Sequence, residues 1–151
     1  MKRLDIYVET SVWNFLHTKQ SPEKRKITGD FFRESGDFNL YISDVVLEEV
    51  AAAPEKIKAS LLSAISKYGP YELADSEESL GLARKYIEAG VIPENQLNDA
   101  RHVAVAVVEE MDIIVSWNMR HIVRYKTRIG VNAVSRLNGY KEIEILTPEE
   151  V

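Results

Sequence analysis

Four short polar stretches carry residues able to do chemistry: "ETS" (9–11), "SDVVLEE" (43–49), "NDA" (98–100) and "SWN" (116–118). Each lies at the end of an apolar run or at the start of an amphipathic one. Together they supply the carboxylates of Glu9, Glu49 and Asp99 and the amide of Asn118, with Ser11 and Ser116 beside them. Carboxylates brought together repel one another unless they are protonated, paired with bases or bound to a divalent cation. A donor set made only of oxygens points to Mg²⁺ or Mn²⁺ rather than zinc. Such an ion binds a phosphate oxygen and acidifies a water for in-line attack on phosphorus. Neither GxxxxGK nor GxGxxG occurs, so phosphodiester hydrolysis is favoured over nucleotide binding.

The surrounding pattern supplies the elements that would hold these residues. "DIYVE" (5–9), "FNLYIS" (38–43), "YELA" (71–74), "DIIVS" (112–116) and "IEIL" (143–146) read as strands. "TSVWNFLH" reads as a helix capped by Thr10 or Ser11. Further helices are expected over 22–35, over 43–53 behind Ser43 or Asp44, from Pro54 to Gly69, over 76–90 with a capping-box pattern, and over 93–111. Residues 121–139 read as helix, loop and helix. Short apolar strands alternating with helices predict a three-layer α/β sandwich around a mainly parallel sheet. Active sites in such sheets lie beyond the carboxyl ends of the strands, where all four polar stretches fall.

"IYVETSVWNFL", "YISDVVLEEVAA", "VIPENQLNDARHVAVAVV" and "DIIVSWNMRHI" together resemble the PIN-domain ribonucleases, a group that includes the VapC-type toxins of toxin–antitoxin pairs. The resemblance runs over about residues 4 to 147. It implies a metal-dependent endoribonuclease in which Glu9, Glu49 and Asp99 hold the ion. Asn118 would complete its shell through a water, and Ser11 and Ser116 would orient the ligands. It also implies an antitoxin partner and a homodimer. Glu9 stands where the family carries Asp, which moves its carboxylate outward by one methylene, and Mg²⁺ tolerates such displacement poorly. His121 stands where many relatives carry an acid, leaving three carboxylates and an amide.

Each of these residues also has a plain structural reading. Glu9 could end a strand and pair with a lysine, Asp99 could serve the first turn of its helix, and Asn118 could serve a turn. Glu48 is the rival of Glu49; the spacing after Ser43 favours Glu49. His102, three residues after Asp99 and on nearly the same helical face, reads as structural or as a support for the ligands. Trp13 and Trp117 read as packing residues. The acid-free run "RHIVRYKTR" (120–128) makes Arg120, His121 and Arg124 the candidates for contacting an RNA backbone.

The totals bound the rest. One domain over residues 1–151 suits the length of 151 residues. With no cysteine, disulfides, zinc–thiolate sites and thiol catalysis are excluded, and a reducing cytoplasm fits. No apolar run reaches the roughly 18 residues of a membrane span, and "MKRLDIYVET" is not a signal peptide. A net charge of -5 argues against tight non-specific coating of nucleic acid but leaves room for a locally basic nuclease. Two rivals remain: a PIN-fold binding module that has lost its chemistry with the Asp-to-Glu change, and a DNA nuclease or phosphatase using the same carboxylates.

Overall fold

The computed structural model describes residues 2–151. Five strands form one sheet in which every pairing is parallel: β1 (Leu4–Val8), β2 (Phe38–Ser43), β3 (Tyr71–Leu73), β4 (Ile113–Val115) and β5 (Glu144–Leu146). Their spatial order is β3-β2-β1-β4-β5. The chain steps outward from β1 through β2 to β3, then crosses back to β4. The sheet therefore reverses direction between β1 and β4, and a crevice opens above their carboxyl ends.

Seven α-helices cover the sheet: α1 (Thr10–Phe15), α2 (Pro22–Arg33), α3 (Asp44–Ala51), α4 (Glu55–Tyr68), α5 (Glu77–Glu88), α6 (Leu97–Val108) and α7 (Tyr125–Leu137). The right-handed crossovers expected of parallel strands would place α1–α4 on one face and α5–α7 on the other. The packing agrees, since α1 lies against α2, α3 and α4, while α5 lies against α6 and α7. Helices α3 and α6 also touch each other, and they carry the candidate residues Glu49 and Asp99.

Three strands are only three residues long, and burial sustains the central one, β4. Ile113, Ile114 and Val115 of β4 are all buried. Such a side chain contributes about 1.5–3 kcal/mol on burial, enough to offset the short ladder. Trp13 and Trp117 are packing residues: the Trp13 indole donates to the Val8 carbonyl at 3.2 Å and the Trp117 indole to Thr28 Oγ1 at 2.8 Å.

Several helix ends differ from the sequence reading. Neither Thr10 nor Ser11 caps α1; Glu9 does, its carboxylate accepting from the Ser11 N–H. The α3 cap is Ser43, which accepts from the Val45 N–H. Helix α6 begins at Leu97 rather than at residue 93, because residues 93–96 close a turn through Gln96 N–H to the Pro93 carbonyl. The largest departure is at 121–139, where a single helix forms. Residues 119–122 are turns instead, since the Asn118 carbonyl accepts from the N–H groups of Ile122 and Val123, and its side-chain oxygen from that of His121. Among the described residues, no helix is long and apolar enough to cross a membrane.

Candidate metal centre

The register of β1 and β4 sets the first part of the site. Val8 lies opposite Val115, so the next residues, Glu9 and Ser116, emerge side by side above the sheet. Main-chain bonds hold them there, Glu9 N–H to the Val115 carbonyl and Ser116 N–H to the Leu146 carbonyl. Glu9 is only 5% exposed. Its Oε1 accepts from both Ser11 Oγ (2.5 Å) and Ser116 Oγ, and its Oε2 from the Ser11 N–H (3.1 Å). Ser11 Oγ in turn accepts from the Trp117 N–H, and Ser116 Oγ from the Asn118 N–H. The two serines thus clamp the carboxylate to two strand ends at once.

Helix α3 brings the second acid. Glu48 and Glu49 are neighbours in sequence but point apart. Glu48 is solvated and pairs with Arg101 at 2.9 Å. Glu49 turns inward, and its Oε1 accepts from Thr10 Oγ1 (2.7 Å) and meets His102 Nε2 (2.5 Å). Burial by itself would raise the Glu49 pKa, but the hydrogen bond and charge of His102 outweigh it and hold the carboxyl below its ordinary range.

Helix α6 carries Asp99 and His102. Burial and then the charge of Glu9 push the Asp99 pKa up, against the opposing pull of Asn118, His102 and His121. The Asp99 Oδ2 is buried and has no hydrogen-bond partner among the described residues. His102 is fully buried, with Nε2 beside Glu49 and 3.9 Å from Glu9 Oε2, and Nδ1 2.7 Å from Tyr7 Oη. Burial opposes its charging, but the bond to Glu49 and the charges of Glu9, Glu49 and Asp99 prevail and raise its pKa.

The structure therefore brings together Glu9, Glu49, Asp99, Asn118, Ser11 and Ser116 at one edge of the sheet. Donor atoms of Glu9, Glu49 and His102 lie within 4.8 Å of one another. A buried, unpartnered carboxylate oxygen of Asp99 that feels the charge of Glu9 is what an oxygen-liganded divalent cation would satisfy, so the residues present fit such an ion. Arg120 and Arg124 are exposed and form no ion pair among the described residues. His121 is half-buried, and its Nδ1 is also without a partner there. Sequence reasoning missed Thr10 and Tyr7, which reach the cluster through side-chain hydroxyls. Thr10 was grouped with Glu9 and Ser11 beyond the first strand but given no role there except as a cap. Nothing in a buried strand reveals that one tyrosine hydroxyl lies under a histidine.

No family model and no curated protein matches the sequence. Solved structures do match. VapC20 of Mycobacterium tuberculosis, a sarcin–ricin loop cleaving toxin, aligns with a TM-score of 0.58 at 12% identity over 92% of this chain and 98% of its own. VapBC2 of Rickettsia felis, crystallised with a DNA fragment from its promoter, gives 0.56 at 15% identity over 95% and 98%. VapBC-5 of M. tuberculosis gives 0.52 at 16% identity over the same shares. The fold is that of a PIN domain. At these identities the likeness is one of architecture. In this PIN fold the acids stand at the carboxyl ends of β1 and β4, beside the reversal of the sheet.

Proposed function

We propose that the chain is a divalent-metal-dependent endoribonuclease, the toxin of a toxin–antitoxin pair, working in the cytoplasm as one domain. The observation that carries this reading is the convergence of Glu9, Glu49 and His102 donor atoms, with Asp99 near enough to feel the charge of Glu9 and one of its oxygens left without a partner among the described residues. The likeness to VapC structures supports the choice of RNA over other phosphodiesters and supports an antitoxin partner. A homodimer is part of the same proposal.

Glu9, Glu49 and Asp99 would hold Mg²⁺ or Mn²⁺, with Asn118 reaching it through a water. The ion supplies charge to a phosphate oxygen and acidifies water. The protein's part is to keep those oxygens in place. Ser11 and Ser116 fix the Glu9 carboxylate from two sides, and Thr10 and His102 fix that of Glu49. Asn118 both closes the turn after β4 and favours the charged form of Asp99. Arg120, His121 and Arg124 follow directly and would guide the RNA backbone toward the acids.

The test is calorimetry of Mg²⁺ and Mn²⁺ binding to wild type and Asp99→Asn, with cleavage of a structured RNA in the same buffers. Metal binding in the wild type, and cleavage that falls about a hundredfold or more in Asp99→Asn, is the expected result. DNA and phosphomonoester substrates run in parallel should remain intact. A wild type that binds neither ion and cuts nothing at millimolar metal overturns the proposal and leaves a binding module.

A further inference from the structure

His102 is an unusual residue to place at the centre of an acidic cluster. It is fully buried, yet its Nε2 does not face the core; it faces two carboxylates, at 2.5 Å and 3.9 Å. The opposite side of the ring is equally organised. Nδ1 meets Tyr7 Oη at 2.7 Å, Tyr7 Oη meets Ser43 Oγ at 2.7 Å, and Ser43 Oγ accepts from the Val45 N–H at 3.1 Å.

The geometry points to His102 Nε2 as a nitrogen ligand of the same metal ion, which makes the site selective for Mn²⁺ and its heavier first-row neighbours over Mg²⁺. This inference rests on the metal-dependent reading above and narrows it. Three observations carry it. The His102, Glu9 and Glu49 donor atoms are mutually within 4.8 Å, close enough to share one ion.

Second, a ligating histidine normally gives its other ring N–H to a fixed acceptor, which sets its tautomer and aims the ring. Tyr7 is that acceptor, and its own position is set by Ser43 at the end of β2. Both hydroxyls can donate or accept. With Ser43 donating to Tyr7 and Tyr7 to Nδ1, the ring carries its proton on Nε2 and gives it to Glu49. With both hydroxyls turned the other way, Nδ1 carries the proton and the Nε2 lone pair is free for a metal. Tyr7 and Nδ1 are paired in both states; in the second, the buried Ser43 O–H is left without an acceptor among the described residues.

The third observation is chemical. Mg²⁺ is held almost wholly by oxygen, whereas imidazole suits transition ions, whose affinities rise along the series from Mn²⁺. An added nitrogen also compensates for Glu9, because ions less demanding than Mg²⁺ accept the displaced carboxylate.

The decisive experiment is pulsed electron paramagnetic resonance on untagged, Mn²⁺-loaded protein, read for modulation by a coordinated ¹⁴N. Wild type should show the nitrogen, and His102→Gln should lose it. Calorimetry should give a Mn²⁺-over-Mg²⁺ preference that narrows in His102→Gln. Tyr7→Phe keeps the buried ring and removes the hydroxyl that Nδ1 and Ser43 Oγ share. It should weaken Mn²⁺ by about tenfold and Mg²⁺ by less. Should His102→Gln fail to fold, the wild-type spectrum and Tyr7→Phe decide alone. Bound Mn²⁺ without nitrogen modulation, or modulation that persists in His102→Gln, overturns the inference while leaving a metal-dependent nuclease intact. A wild type that binds neither Mg²⁺ nor Mn²⁺ overturns both.

Discussion

Asp99 has an environment that disfavours its charged form. Its ionised form is opposed by burial and by Glu9. Asp99→Asn should therefore melt at the same temperature as wild type or higher in chelator, while being far less active. Saturating metal should reverse the order, because only wild type gains the stabilisation of a tightly bound ligand. The His102–Glu49 pair sets a pH window for the metal-free chain. The raised His102 pKa means that its contribution is full below the ordinary imidazole value of 6.5 and is lost as pH rises through its folded value. The lowered Glu49 pKa means that its contribution is present above the ordinary 4.5 and is lost as pH falls through its folded value. Thermal melts in chelator should thus be highest between these two values, and the alkaline decline should flatten in His102→Gln. At this scale much of the site was legible. Glu9, Asp99, Ser116 and Asn118 stand out because each follows or opens an element. The split between Glu48 and Glu49 was decided by Arg101, a partner 53 residues away from Glu48.

Among the elements, α7 and the segment that follows α5 meet in a close approach that helix propensity alone would misjudge. Gly130 lies inside α7, where alanine would favour the helix by about 1 kcal/mol. A methyl group there would meet Val91 Cγ2 at 2.8 Å and Cγ1 at 2.9 Å. Valine is stiff at χ1 and cannot swing aside, and overpacking costs about 1–3 kcal/mol. Gly130→Ala should therefore be net destabilising in urea melts despite its better propensity. The strands and most helices were readable from their period and punctuation, including the left-handed Gly69 that closes α4. The false helix over 121–124 was not, because His121, Ile122 and Val123 look helical until Asn118 takes their N–H groups.

For the whole molecule, a net charge of -5 means that RNA, if it is the substrate as proposed, must be drawn by a local patch against the average field. Arg120 and Arg124 are exposed and follow Asn118 closely in the chain. Binding of uncleaved RNA to Asp99→Asn should be steeply salt-dependent. Each of Arg120→Ala and Arg124→Ala should lower the slope of log affinity against log salt by about 0.7, the share of one phosphate contact on a single strand. An unchanged slope in both would place the RNA path elsewhere.

The sequence by itself determined the α/β class, the parallel sheet, the order of most elements and the acids at the strand ends, because hydrophobic period and cap chemistry are local properties. Only the tertiary structure decided that Glu9 caps α1 while two serines 105 residues apart grip it, and that His102 joins the acids with Tyr7 beneath it. Those relations depend on which strands become neighbours and on which way a side chain turns at a junction of α3 and α6. Such contacts are made by residues far apart in the chain, and a local pattern carries no record of them.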